Sequence, residues 1–164
     1  MAWLKYRDLK GEVANLIPDV NKSYLKVKEA SVTITTAQLL ALNATPIEVI
    51  AAPGAGYFID FLGATIWYDY NSAAYAGIAA GENLVFRQTD GSGAVVSSEV
   101  ETVGLLDATA DVIVKCAALS DVSVGSYVIA DNKKIVIHLL SGEVTTGNSP
   151  LKIKIQYRIM PRTW

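Results

Sequence analysis

The chain has 164 residues and a formal net charge of −2; 51% of its residues are hydrophobic and 18% charged. That much apolar side chain suffices for one packed domain and excludes a disordered chain. No uninterrupted run of about twenty apolar residues occurs, which excludes a membrane-spanning helix, and the near-zero charge excludes the dense basic face that nucleic acid requires.

Charge is unevenly placed. Residues 1–30 hold six Lys/Arg against four Asp/Glu, and residues 31–164 hold eight against twelve, so the two parts carry +2 and −4. In the first part Trp3, Leu4, Tyr6, Leu9, Val13, Leu16 and Ile17 are mixed with charges at no sustained period, and Gly11 and Pro18 interrupt any helix. Residues 1–30 therefore read as an extended arm, and Trp3, Leu4, Tyr6, Leu9 and Leu16 as its docking side chains. The opening MAWLKYRDLKGEV has no apolar core of the kind a secretory signal carries, and the single Cys116 cannot form an internal disulfide. Both point to assembly in a reducing cytoplasm.

From residue 31 to 164 turn signals recur every ten to fifteen residues between β-rich runs, the pattern of an all-β sandwich. The predicted strands are Ser31–Thr35, Ile47–Ala51, Tyr57–Tyr70 (bent near Gly63), Leu84–Thr89, Val95–Val100, Val112–Cys116, Ser126–Ala130, Lys134–Leu140 and Lys152–Met160. Thr36–Leu42 predicts a short helix. Asp90-Gly91 and Asp131-Asn132 supply hairpin chemistry, because these residues tolerate positive φ. In LKIKIQYRIM, Leu151, Ile153, Ile155, Tyr157 and Ile159 share one face and Lys152, Lys154, Gln156 and Arg158 the other, which predicts a strand with a core side and a water side.

The motifs with chemically active side chains do not assemble into a reaction. Pro53-Gly54-Ala55-Gly56 lacks the Gly-Lys-Ser/Thr end and the helix of a phosphate loop and runs instead into the aromatic strand at Tyr57, so it reads as a bend. His138 is the only histidine; alternation puts it with Val136 and Leu140, opposite Ile135, Ile137 and Leu139, as a structural strand residue. One His and one Cys do not make a zinc site. Asp60 and Asp69, on a strand-like run, are carboxylates of the kind a glycoside hydrolase pairs, as any β-protein with a dozen acids offers, and DGSG and DATAD lack the spacing of a calcium loop. No catalytic, cofactor-binding or metal-ligating residues are assigned. Trp67, Tyr68, Tyr70 and Tyr75, interleaved with Asn and Ser, have the composition of a contact surface, with the Tyr75 end expected to be the more exposed and core filling as the competing role.

The phrase LLALNATPIEVIAAPGAGYFI, then NLVFRQTDGSGAVVS and GLLDATAD, resembles a family of small β-proteins encoded among the structural genes of tailed bacteriophages. The resemblance runs from about Val32 to Tyr157, is most specific over Leu40–Gly56 and leaves the arm outside it. It implies a place in the virion and brings no functional residues with it. The combined reading is an antiparallel β-sandwich, jelly-roll-like, over residues 31–164 behind a docking arm. The function it suggests is capsid decoration or cementing, as a homotrimer in contact with the major capsid protein or other virion proteins. The alternatives are a tail, neck or fibre-base component, or a module that attaches to host glycans through Trp67–Tyr75.

Overall fold

The protein is described by a computed structural model covering residues 26–119 and 130–163. The five arm side chains named above, and most of the strand predicted at Ser126–Ala130, lie outside the described residues. The described elements are β1 (Lys28–Ile34), α1 (Thr36–Leu39), β2 (Ile47–Ile50), β3 (Tyr57–Tyr68), β4 (Leu84–Gln88), β5 (Val112–Ala117), β6 (Ile135–Leu139) and β7 (Leu151–Pro161). They form two antiparallel sheets, β1-β7-β3-β5 and β2-β6-β4. Residues 94–100 lie beside β4 as the eighth position, joined by the isolated bridges Leu84↔Val100 and Arg87↔Val95 rather than by a regular ladder. Partners are thus nested, β1 with β7, β2 with β6, β3 with β5 and β4 with 94–100, which is a long folded ribbon wound into the two sheets of a jelly roll.

The alternation in β7 does what its sequence predicts over its first half. Leu151, Ile153 and Ile155 are buried against the other sheet, and Lys152, Lys154 and Gln156 are exposed. Tyr157 and Ile159 keep to the inward face, opposite the inward-pointing Phe61 and Ile59, but are only half-buried, and Met160, opposite Phe58, is buried on the other face. β3 shifts register between Phe61 and Gly63, so Leu62 is an extra residue, and side chains change face there. Ile59 and Phe61 point inward before the bulge, and Ala64, Ile66 and Tyr68 after it. Gly63 fits the bend because a Cβ on it would lie 3.0 Å from the Cys116 carbonyl oxygen.

Phe61 and Phe86 meet across the sandwich, with ring centroids 5.0 Å apart. Elsewhere in the same core Ile34, Leu84, Ile66, Ile137 and Leu151 are fully buried, each contributing about 1.5–3 kcal/mol by leaving water. α1 closes one end. Thr35 caps it, its hydroxyl accepting from the Gln38 N–H at 3.3 Å while its own N–H donates to the Gln38 side chain at 2.9 Å. The helix is shorter than the predicted Thr36–Leu42, because 3₁₀-type bonds from Ala41 and Leu42 tighten its exit and tuck Leu42 into the core.

The Pro53–Gly56 bend is held from the β6 side of the molecule. Gly54 N–H donates to Asn132 Oδ1 at 2.8 Å and Gly56 N–H to Asp131 Oδ1 at 2.9 Å. Both glycines have positive φ, +103° and +82°. The two N–H groups that a phosphate would need are therefore engaged by the protein's own side chains. A Cβ at Gly56 would meet nothing within 4 Å, so Gly56→Val should cost only backbone strain, about 1–3 kcal/mol. Urea unfolding of the full chain checks this, the expected result being a lower midpoint with an unchanged slope.

Candidate docking surface

The residues that chemistry would need are held apart. His138 and Cys116 lie in different sheets. His138 sits on the outer face of β6 and is 6% exposed, while Ile135, Ile137 and Leu139 face the core as alternation predicts. Its Nε2–H donates to the Asn43 carbonyl at 3.2 Å, leaving Nδ1 as a buried lone pair without a partner. Gly91 packs against the ring, where any Cβ would come within 2.8 Å of Nε2. The turn after α1 is clamped there as well: Glu143 accepts from the Asn43 and Ala44 N–H groups at 3.1 and 2.7 Å. The imidazole therefore serves the packing of two turns. Cys116 Sγ faces inward and donates to the Ser98 carbonyl at 3.2 Å, and burial pushes the thiol pKa up, away from the reactive thiolate.

The two carboxylates are equally separate. Asp60 receives Arg158 across the β3–β7 ladder, Nη2 at 2.6 Å and Nε at 3.0 Å on the same oxygen. Asp69 takes Lys152 at 2.7 Å. Nine residues of extended chain place these acids roughly 30 Å apart, well beyond the spacing a glycosidase pair requires. Among the described residues no group of three or more His, Cys, Asp and Glu is placed to hold a metal ion, and no helix is long and apolar enough to cross a membrane.

The aromatic segment divides. Tyr68 and Tyr75 are buried, and Tyr68 stacks at 6.3 Å between centroids on both Tyr70 and Tyr75. The expected exposure of the Tyr75 end is incorrect: Tyr75 is 2% exposed. Its hydroxyl donates to the Ser149 carbonyl at 2.7 Å, its N–H to Leu106, and Gly147 lies flat against its ring. The Asn and Ser around it serve the backbone of the connection, with Asn148 Oδ1 accepting from the Ala73 N–H at 2.9 Å. Burial raises the pKa of both Tyr68 and Tyr75. These two rings plug one end of the sandwich, and Tyr70 packs half-buried beside them.

Trp67 is the member of that segment facing outward, and it belongs to a surface made by register. On the water side of the four-stranded sheet, Thr33, Lys152, Trp67 and Ile113 stand in one row across β1, β7, β3 and β5. Ser31, Lys154, Thr65 and Lys115 form the next row, and Glu29, Gln156, Gly63 and Ala117 the third. Two adjoining depressions of about 370 and 430 Å³ run over these rows, sharing Thr65 and Lys154. Ile113 is 65% exposed at one end, and Lys152 Nζ lies 4.4 Å from the centre of the Trp67 ring. Apart from Trp67, sequence reasoning did not single out this surface. Alternation marks Lys152 and Lys154 as water-facing, but only the strand order brings Thr33, Trp67 and Ile113 beside them.

The buried histidine gives the fold a pH signature. Desolvation, with Arg87 nearby adding to it, holds the His138 pKa below its ordinary value near 6.5. Below that value the unfolded chain binds a proton that the folded chain refuses, so stability is fully present above about 6.5 and is lost as pH drops from there to the folded pKa. Thermal unfolding of the wild type and His138→Gln at pH 7.5 and 5.5 checks this: the gap between the two melting temperatures should change in the variant's favour at the lower pH.

No protein-family model and no curated protein sequence matches the chain. Among solved structures it is similar to a chain titled "Cyanophage Pam1 capsid asymmetric unit", at 17% identity and a TM-score of 0.43, covering 81% of this chain and 83% of that one. It is also similar to a chain titled "Capsid of Ralstonia phage GP4", at 13% identity and a TM-score of 0.42, covering 85% and 88%.

Proposed function

We propose that the protein is a structural component of a tailed-bacteriophage virion, a decoration or cement protein seated on the outer capsid surface, and not an enzyme. It assembles in the host cytoplasm as a homotrimer and contacts the major capsid protein. The observation that carries this reading is the open face of the four-stranded sheet, where an apolar groove with an exposed Ile113 and an outward Trp67 is bordered by Lys152 and Lys154. The resemblance of Leu40–Gly56 and the phrases after it to phage structural proteins supports the same conclusion, and so does the engagement of His138 and Cys116 in packing.

Attachment to glycans is the weaker reading on this geometry. A sugar ring stacks on an open aromatic face, but Lys152 already lies over Trp67, and Tyr68 and Tyr75 are buried. The apolar side chains of residues 1–25 give the chain a second means of holding neighbours. Removing residues 1–25 should leave the melting temperature of the sandwich nearly unchanged, because β1 begins only at Lys28, while co-sedimentation with particles lacking the protein is lost. Particle binding at wild-type occupancy by the shortened chain would refute the docking arm, and its unfolding would assign the arm to the fold. Copy number per particle separates the shell, where it matches the capsid lattice, from the neck or tail, where it is far smaller.

A further inference from the structure

We propose that the groove on the outer face of the four-stranded sheet receives residues 12–20 of a second copy of this chain. This rests on the reading of the arm as a link between subunits and adds the site that the arm occupies.

The groove asks for an apolar segment with negative charge. Its floor offers Trp67 and the exposed Ile113, and Lys152, Lys154 and Lys115 stand on the same rows. Glu29 and Asp69 balance two of the three lysines, through contacts with Lys154 at 3.3 Å and Lys152 at 2.7 Å. Both contacts are at least about one-third exposed and therefore weak enough to be exchanged. Along residues 1–25 one stretch has the complementary character. Glu12-Val13-Ala14-Asn15-Leu16-Ile17-Pro18-Asp19-Val20 carries two acids, no Lys or Arg, and four large aliphatic side chains, whereas Lys5, Arg7 and Lys10 precede it and Lys22 follows. Pro18 has no N–H to give to a ladder, which suits a segment lying across side chains rather than one adding a central strand.

Strand direction selects a neighbour over the same molecule. β1 runs from Lys28 toward Thr33, and the Trp67 row lies at the Thr33 end. The chain therefore enters β1 at Lys28, the end remote from the Trp67 row. Residues 21–27 span at most about 25 Å when extended, enough to carry residues 12–20 to an adjacent subunit without reversing. The resulting contact is head-to-tail, the kind that closes a ring.

The test is sedimentation velocity on full-length proteins at matched concentration. The wild type is expected to self-associate. Glu12→Lys with Asp19→Lys, and separately Lys152→Glu with Lys154→Glu, are each expected to associate about tenfold more weakly, which corresponds to about 1.4 kcal/mol. Mixing the two charge-reversed proteins restores association, because the reversed segment of one now matches the reversed groove of the other. Ile113→Ser guards against misfolding: at so exposed a position it should keep the wild-type melting temperature and still weaken association. A monomeric wild type overturns the proposal, as do groove variants that associate like the wild type or a mixture that restores nothing. A monomeric wild type whose melting temperature falls with the groove variants would place the segment on its own sheet instead. Co-sedimentation of the same proteins with particles keeps the two readings apart. Wild-type binding to particles with no effect of the groove on association removes only this inference. Charge-exchanged association without any particle binding removes the virion role.

Discussion

The architecture depends on β7, the last strand of the chain, being inserted between β1 and β3. Leu151 lies between Ile34 and Tyr68, Ile153 between Val32 and Ile66, and Ile155 between Ala30 and Ala64. These rows of apolar side chains form the floor of the core, and no pair of strands adjacent in sequence could form them. Almost every contact that stabilises the sandwich therefore joins distant parts of the chain, and the loops must close before the core can form. The nested order follows from the same insertion. Once β7 lies on β1, the intervening chain has to double back as a ribbon, and β6 comes to lie between β2 and β4 in the second sheet.

That constraint explains what could be read from the residues and what could not. The alternation of Leu151, Ile153 and Ile155 is a local pattern and survives intact. The bend at Gly63 was legible because a glycine in a β-branched, aromatic run has few other reasons to be there. The partition of Ile135, Ile137 and Leu139 from His138 follows from period two alone. By contrast, nothing local announces that Tyr157 and Ile159 stay half-buried on the inward face while Met160 is buried on the other. Residues 94–100 have strand composition, yet they make only isolated bridges, because they also lean on the other sheet: Ser98 N–H reaches the Ala117 carbonyl at 2.9 Å and Leu119 N–H the Val96 carbonyl at 3.0 Å. Tyr75 misleads for a related reason. Its polar neighbours suggested exposure, but their polarity is spent on the backbone of a connection that folds over the ring.

The outer face of the four-stranded sheet was the least legible feature, and the reason is geometric. A catalytic motif is often local, with ligands or acids at fixed spacing on one turn. A sheet face is assembled from single residues of four strands, here positions 33, 152, 67 and 113, whose meeting is decided by register. Each is unremarkable alone. Exposed threonine and lysine are ordinary on a strand, and a single exposed isoleucine is common.

Their arrangement is less ordinary. A sheet face meant only for water gains nothing from a tryptophan and an isoleucine side by side at one end of a row that is otherwise Thr and Lys. Lys152 limits the cost by spreading over the Trp67 ring while its ammonium reaches Asp69, so the apolar floor is sheltered in the free protein without being closed. Among the described residues Ile113 has no such shelter, and β5 is an edge strand, where an uncovered apolar side chain invites pairing with other chains. The end of β5 is guarded by residues 96–98, while the stretch carrying Ile113 is not bridged to them. Among the described residues the edge is thus covered at its Ala118 end and open along the stretch that carries Ile113, beside the groove.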